Sequence, residues 1–92
     1  MELLIVDDEY YSVEWIRNTL MSSSIPLTLY CAYSMEEAQE IFLSHPVNTL
    51  LSDIEMPRGT GLELLEWVRG KGFSTVCVFF QALPHLIMPA VP

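Results

Sequence analysis

Asp53 closes the apolar run at residues 49–51 and is followed by Ile54-Glu55-Met56-Pro57-Arg58-Gly59-Thr60-Gly61. One Pro and two Gly oppose a regular continuation of strand or helix, so the sequence holds a carboxylate at a rigid rim. An Asp in such a place can also do no more than cap a turn. A second acidic cluster separates the two readings: Asp7-Asp8-Glu9 ends another apolar run, Leu3-Leu4-Ile5-Val6. If both runs are neighbouring strands, Asp7, Asp8 and Asp53 converge at one sheet edge. Three carboxylates in one pocket repel each other and raise their pKa values unless a cation compensates. The arrangement predicts a hard divalent ion, with Mg²⁺ as the natural choice for oxygen ligands. A carboxylate held beside such an ion can attack phosphorus and form an acyl phosphate.

The elements that must position these groups are legible as alternating strands and helices. Residues 3–6 are too short for a helix and apolar throughout, as a strand covered on both faces requires. Residues 9–21 change to helical spacing, with Val13, Ile16 and Leu20 on one stripe. Residues 25–31 alternate as a second strand. Ser34-Met35-Glu36-Glu37 has capping-box spacing, predicting a helix over residues 35–43 with Met35, Ala38, Ile41 and Phe42 inward, stopped by Pro46. Residues 48–52 form the third strand. Beyond a break at Gly61, Leu62, Leu65 and Val68 mark a third helix ended by Gly70 and Gly72, and residues 75–80 form a fourth strand. This order implies right-handed crossovers and a parallel α/β sheet.

The chain has 92 residues, the size of one domain that needs no disulfide or structural metal. Its formal charge of −8, with only Arg17, Arg58, Arg69 and Lys71 positive, argues against nucleic acid as a direct ligand. An acidic surface suits a divalent cation or a basic protein partner, and also keeps an apolar domain soluble. No apolar run approaches the roughly 20 residues of a membrane span, and the amino terminus lacks the pattern of a signal peptide. Cys31 and Cys77, isolated in apolar runs, are expected to be reduced thiols of a cytoplasmic protein. His45 and His85 lack metal-ligand spacing.

Leu-Ile-Val-Asp-Asp-Glu at 4–9, Asp-Ile-Glu-Met-Pro at 53–57 and Gly61 resemble the receiver domain of bacterial two-component response regulators. The resemblance covers residues 1–82 and implies a doubly wound, flavodoxin-like sheet. Here it would be incomplete, with four strands in the order 2-1-3-4 and no fifth strand or last helices. It implies that Asp53 is the phosphoacceptor served by a sensor histidine kinase, and that Asp8 ligates Mg²⁺ directly. Asp7 would act mainly through water, and Glu55 through its backbone carbonyl. Glu-Trp-Val-Arg at 66–69 further resembles regulators that carry an AraC-type DNA-binding half, a half expected to be missing from this chain.

Two departures accompany the resemblance. Gln81 stands where the family places a Thr or Ser, and no Lys follows on a fifth strand. Residues 83–92, apolar and rich in Pro, are expected to be an irregular tail, and the chain to be a truncated or frameshifted receiver. The leading expectation is a signalling switch that takes phosphate on Asp53, acts on transcription through an effector domain, and is not an enzyme with an external substrate. A degenerate receiver that binds partners without phosphate is the alternative favoured by Gln81, and a small Mg²⁺-dependent hydrolase is a third. The uncharged fourth strand is expected to offer an edge for self-association.

Overall fold

The computed structural model describes residues 1–56 and 59–80. Strand β1 (Glu2–Val6) is followed by helix α1 (Tyr10–Met21), β2 (Thr28–Ala32), α2 (Met35–Ser44) and β3 (Thr49–Asp53). Two short strands, β4 (Glu55–Met56) and β5 (Gly59–Thr60), lead into α3 (Gly61–Gly70) and the last described strand, β6 (Val76–Phe80). The main sheet has four parallel strands in the order β2-β1-β3-β6. The predicted order is therefore present, with β6 as the fourth strand.

Strand β1 can be apolar at every inner position because both of its faces are covered. Leu4 and Val6 pack with Ala38 and Phe42 of α2 and with Leu64 and Val68 of α3. Leu3 and Ile5 face the other way, toward Val13 of α1. Full burial of a Leu, Ile or Val side chain stabilises by about 1.5 to 3 kcal/mol, so β1 anchors both layers. The period-two alternation of the strand divides those contributions between the faces.

Helix α2 starts as its spacing predicts: the Glu37 amide donates to the Ser34 hydroxyl at 3.1 Å. The Glu37 carboxylate, however, accepts from the Tyr33 amide at 3.4 Å, one residue before the cap. Phe42 of α2, Trp67 of α3 and Phe73 form an aromatic cluster with centroids 5.6 to 6.2 Å apart. The Lys71 ammonium lies 5.8 Å from the Trp67 ring centroid.

Three boundaries and one buried position differ from the sequence expectation. The second strand begins at Thr28 rather than residue 25, because Thr28 pairs with Glu2 at the start of β1 and Ile25 has no strand opposite it. The segment after Asp53 does extend further, as Glu55 pairs with Thr60 and Met56 with Gly59 in an antiparallel ladder. Gly61 opens α3 instead of separating it from the loop, which shifts the buried stripe to Gly61, Leu64 and Val68. Leu62, placed inward by the spacing, is 56% exposed.

Strand β6 lies at the edge of the sheet among the described residues, with Val76 and Val78 exposed. No helix among the described residues is long and apolar enough to cross a membrane. Gln81 and the expected tail at residues 83–92 lie outside the described residues, as do Pro57 and Arg58.

Candidate functional site

The site forms where the chain reverses direction across the sheet, between β1 and β3. From β1 the chain passes to β2 on one side, then crosses to β3 on the other, and the carboxyl ends of two such strands are where ligands bind in open parallel sheets. The register pairs Ile5 with Leu51 and Val6 with Ser52. One step further along both chains, Asp7 comes beside Asp53, and both have the side-chain parity of Ile5 and Leu51. The register thus explains why these two carboxylates share a face.

Asp7, Asp8 and Asp53 each offer a carboxylate oxygen, and the three oxygens lie within 4.8 Å of one another. Asp7 and Asp53 are buried, whereas Asp8 is exposed. The Glu9 amide donates to Asp7 Oδ1 at 3.1 Å, and the Glu55 amide donates to Asp53 Oδ1 at 3.3 Å. Asp7 Oδ2 is buried with no hydrogen-bond partner, the only such side-chain atom among the described residues. An acceptor left bare in a buried position costs free energy, which a proton shared with Asp53 or a bound cation would offset.

Burial pushes the Asp7 carboxyl up to about 7, against the Glu9 amide that lowers it, and the Asp53 carboxylate adds to the rise. Burial also raises the Asp53 carboxyl, opposed chiefly by the Glu55 amide. The two carboxyls titrate as a pair, so the first negative charge opposes the second. Oxygen donors, crowding of like charge and the bare Asp7 oxygen all fit a hard divalent ion such as Mg²⁺.

Of the predicted site residues, Asp7, Asp8 and Asp53 are brought together. The exposed Glu55 side chain lies outside this carboxylate group, and its amide turns toward Asp53. The spacing did not reveal the contribution of Gly61. Its amide donates to the Ile54 carbonyl at 2.7 Å, and the Ile54 amide donates to the Phe80 carbonyl at 3.0 Å. The loop that carries Asp53 is thereby tied to both α3 and β6. Gly61 stands in the sequence both as a break before α3 and as part of the motif with residues 53–57, but neither signal shows this contact with the Asp53 loop.

Residues 3–84 match the family described as response regulator receiver domain. The chain is 40% identical over 67 residues to the hydrogenase transcriptional regulatory protein HoxA of Cupriavidus necator, covering 73% of this chain and 13% of that protein. It is 32% identical over 82 residues to the transcriptional regulatory protein DltR of Streptococcus agalactiae, covering 89% and 36% respectively. It thus spans about a third or less of these two relatives. Among solved structures, the response regulator protein TrrA of Thermotoga maritima, in complex with Mg²⁺ and BeF, superposes with a TM-score of 0.79 at 30% identity. That similarity covers 91% of this chain and 71% of TrrA.

Proposed function

We infer, because this chain belongs to the response regulator receiver domain family, that Asp53 accepts a phosphoryl group from the phosphohistidine of a sensor kinase. The observation that carries this reading is the buried, partnerless Asp7 oxygen within a cluster of three carboxylates. In the transfer, an Asp53 oxygen forms the new bond to phosphorus as the bond from phosphorus to imidazole nitrogen breaks, and the imidazole leaves as its neutral form after taking a proton.

Asp7, Asp8 and Asp53, with the Glu55 carbonyl, would hold Mg²⁺. When bound, Mg²⁺ offsets the negative charge that gathers on the phosphoryl oxygens. The Glu55 amide keeps Asp53 oriented by its hydrogen bond to Oδ1. Burial supplies a low-dielectric setting in which the fixed charges act more strongly. The module is then a switch with no external substrate to turn over. Its relatives named as transcriptional regulators support an output on transcription through a further domain.

A phosphate-independent binding module is the second reading. Gln81 supports it, since the family hydroxyl that contacts the phosphoryl group is replaced there by a longer amide. The exposed Val76 and Val78 on the edge strand β6 support self-association as a further interaction, which sedimentation across a concentration range would test.

Incubation with acetyl phosphate and Mg²⁺, followed by intact mass, separates the readings. One phosphoryl adduct on the native chain and none on Asp53→Asn is the expected result. An unchanged mass favours the binding module, and sustained phosphate release favours a hydrolase. An adduct that persists in Asp53→Asn would overturn the assignment of the acceptor.

A further inference from the structure

Gly61 is buried at the first position of α3. Positive φ does not explain glycine here, because Gly72 alone among the described residues has it. Space does. A Cβ at residue 61 would lie 2.5 Å from the Asp53 carbonyl oxygen, and 2.9 and 3.0 Å from Cδ1 and Cε1 of the Phe79 ring.

The two obstacles differ in how they can yield. The Phe79 ring can turn or shift within its packing, at the cost of an unfavourable rotamer. The Asp53 carbonyl belongs to a peptide fixed on several sides. It accepts from the Ser52 hydroxyl at 3.0 Å, and the next amide, that of Ile54, donates to the Phe80 carbonyl at 3.0 Å. The Ile54 carbonyl in turn accepts from the Gly61 amide at 2.7 Å. A methyl group at residue 61 therefore forces either α3 away from β3 or the Asp53 peptide to tilt. Either movement changes where the Asp53 carboxylate stands relative to Asp7 and Asp8.

We propose that Gly61 is a positioning residue for Asp53: its bare Cα lets the first turn of α3 close on the Asp53 peptide and so fixes the spacing of the three-carboxylate site. This rests on the reading of that cluster as a site for a divalent ion and a phosphoryl group. Displacement of a reacting or ligating group by an ångström can cost up to about a hundredfold in function, so a sub-ångström tilt is expected to weaken binding by roughly tenfold.

The test compares the native chain, Gly61→Ala, Leu64→Ala and Gly61→Ala with Phe79→Leu. Calorimetric titrations with Mg²⁺ alone, and with beryllofluoride in the presence of Mg²⁺, are run beside urea unfolding. A stabilising osmolyte keeps every variant folded during titration. Leu64→Ala removes a buried side chain from the same helix without touching the Asp53 peptide, so it should lose stability and keep affinity. Gly61→Ala should lose roughly tenfold in affinity for both probes. Adding Phe79→Leu should recover stability by clearing the ring, yet leave affinity low because the carbonyl contact remains.

Native affinity in Gly61→Ala overturns the proposal. So does loss of affinity in Leu64→Ala in proportion to its loss of stability, or recovery of affinity on adding Phe79→Leu. A native chain that binds neither probe would instead overturn the reading of the site itself.

Discussion

Beneath α2 and α3, the sheet buries Leu4, Val6, Ala32 and Leu50 against Ala38, Phe42, Leu64 and Val68. Beneath α1 the fully covered set is Leu3, Ile5 and Val13, while Leu29, Cys31 and Leu51 pack only partly buried around it. The same face continues to β6, where Val76 and Val78 share the parity of Thr49 and Leu51 and stand 62% and 48% exposed. Among the described residues one face is therefore a packed core and the other is partly covered. Asp7 and Asp53 belong by parity to the less covered face. Most of the stability is expected to come from the first face, and the chemistry from the rim of the second.

Four substitutions would break or sharpen that contrast. Leu64→Ala, on the packed face, should destabilise by about 3 to 4 kcal/mol, because a cavity adds to the lost transfer free energy. Val13→Ala, on the thinner face, removes fewer atoms from a site with more room to relax and should cost about 1 to 2 kcal/mol in urea unfolding. An equal loss at both positions would mean that the faces are equally well packed.

Asp7→Asn should act in the opposite direction and raise the stability of the metal-free chain at pH 8 by about 1 kcal/mol. In the folded chain the Asp7 carboxyl keeps its proton up to about pH 7, whereas its ordinary value is 3.8. Between these values the folded state binds more protons than the unfolded one. The native metal-free chain should therefore lose stability as pH rises from about 4 to 7, and hold steady above that range as far as Asp7 is concerned. Asp7→Asn should flatten this decline. Mg²⁺ affinity should follow the opposite course and rise with pH through the same window, because the ligand must be ionised. An unchanged slope in Asp7→Asn would remove Asp7 as its origin.

Val78→Thr should have the smallest effect, within about 0.5 kcal/mol, since the side chain is half exposed and the β-branched shape is retained. A larger loss would show that the outer part of the thin face is covered in solution.

The strands and helices were legible because period-two and period-three-to-four patterns alternate along the chain, and the three clustered carboxylates stood out because Asp7-Asp8 and Asp53 lie at the ends of short apolar runs. What failed depended on partners distant in sequence. Ile25 carries the right side chain for a strand, but β1 offers no residue opposite it. Leu62 has the spacing of an inward residue, yet Leu64 and Val68 pack into the core with Leu4, Val6 and Leu50, and that packing turns Leu62 outward. The antiparallel pairing of Glu55 with Thr60 spans a Pro, which local propensity reads as a stop. The crowding at Gly61 comes from the Asp53 carbonyl and also from Phe79, eighteen positions beyond, and no local pattern announces that second contact.

The two tryptophans fall on opposite sides of this divided sheet. Trp15 stands 63% exposed on α1, and Trp67 of α3 packs edge-on to Phe42 and against Phe73. Their emission can therefore be separated without labelling. Iodide should quench Trp15 selectively in the native chain, leaving a bluer residual signal from Trp67. Followed through a denaturant titration, the quenchable and protected fractions report the thin and the packed layer independently. Coincident curves would show that the two layers melt as one cooperative unit, and an earlier change in the quenchable fraction would show α1 leaving a sheet that α2 and α3 still hold.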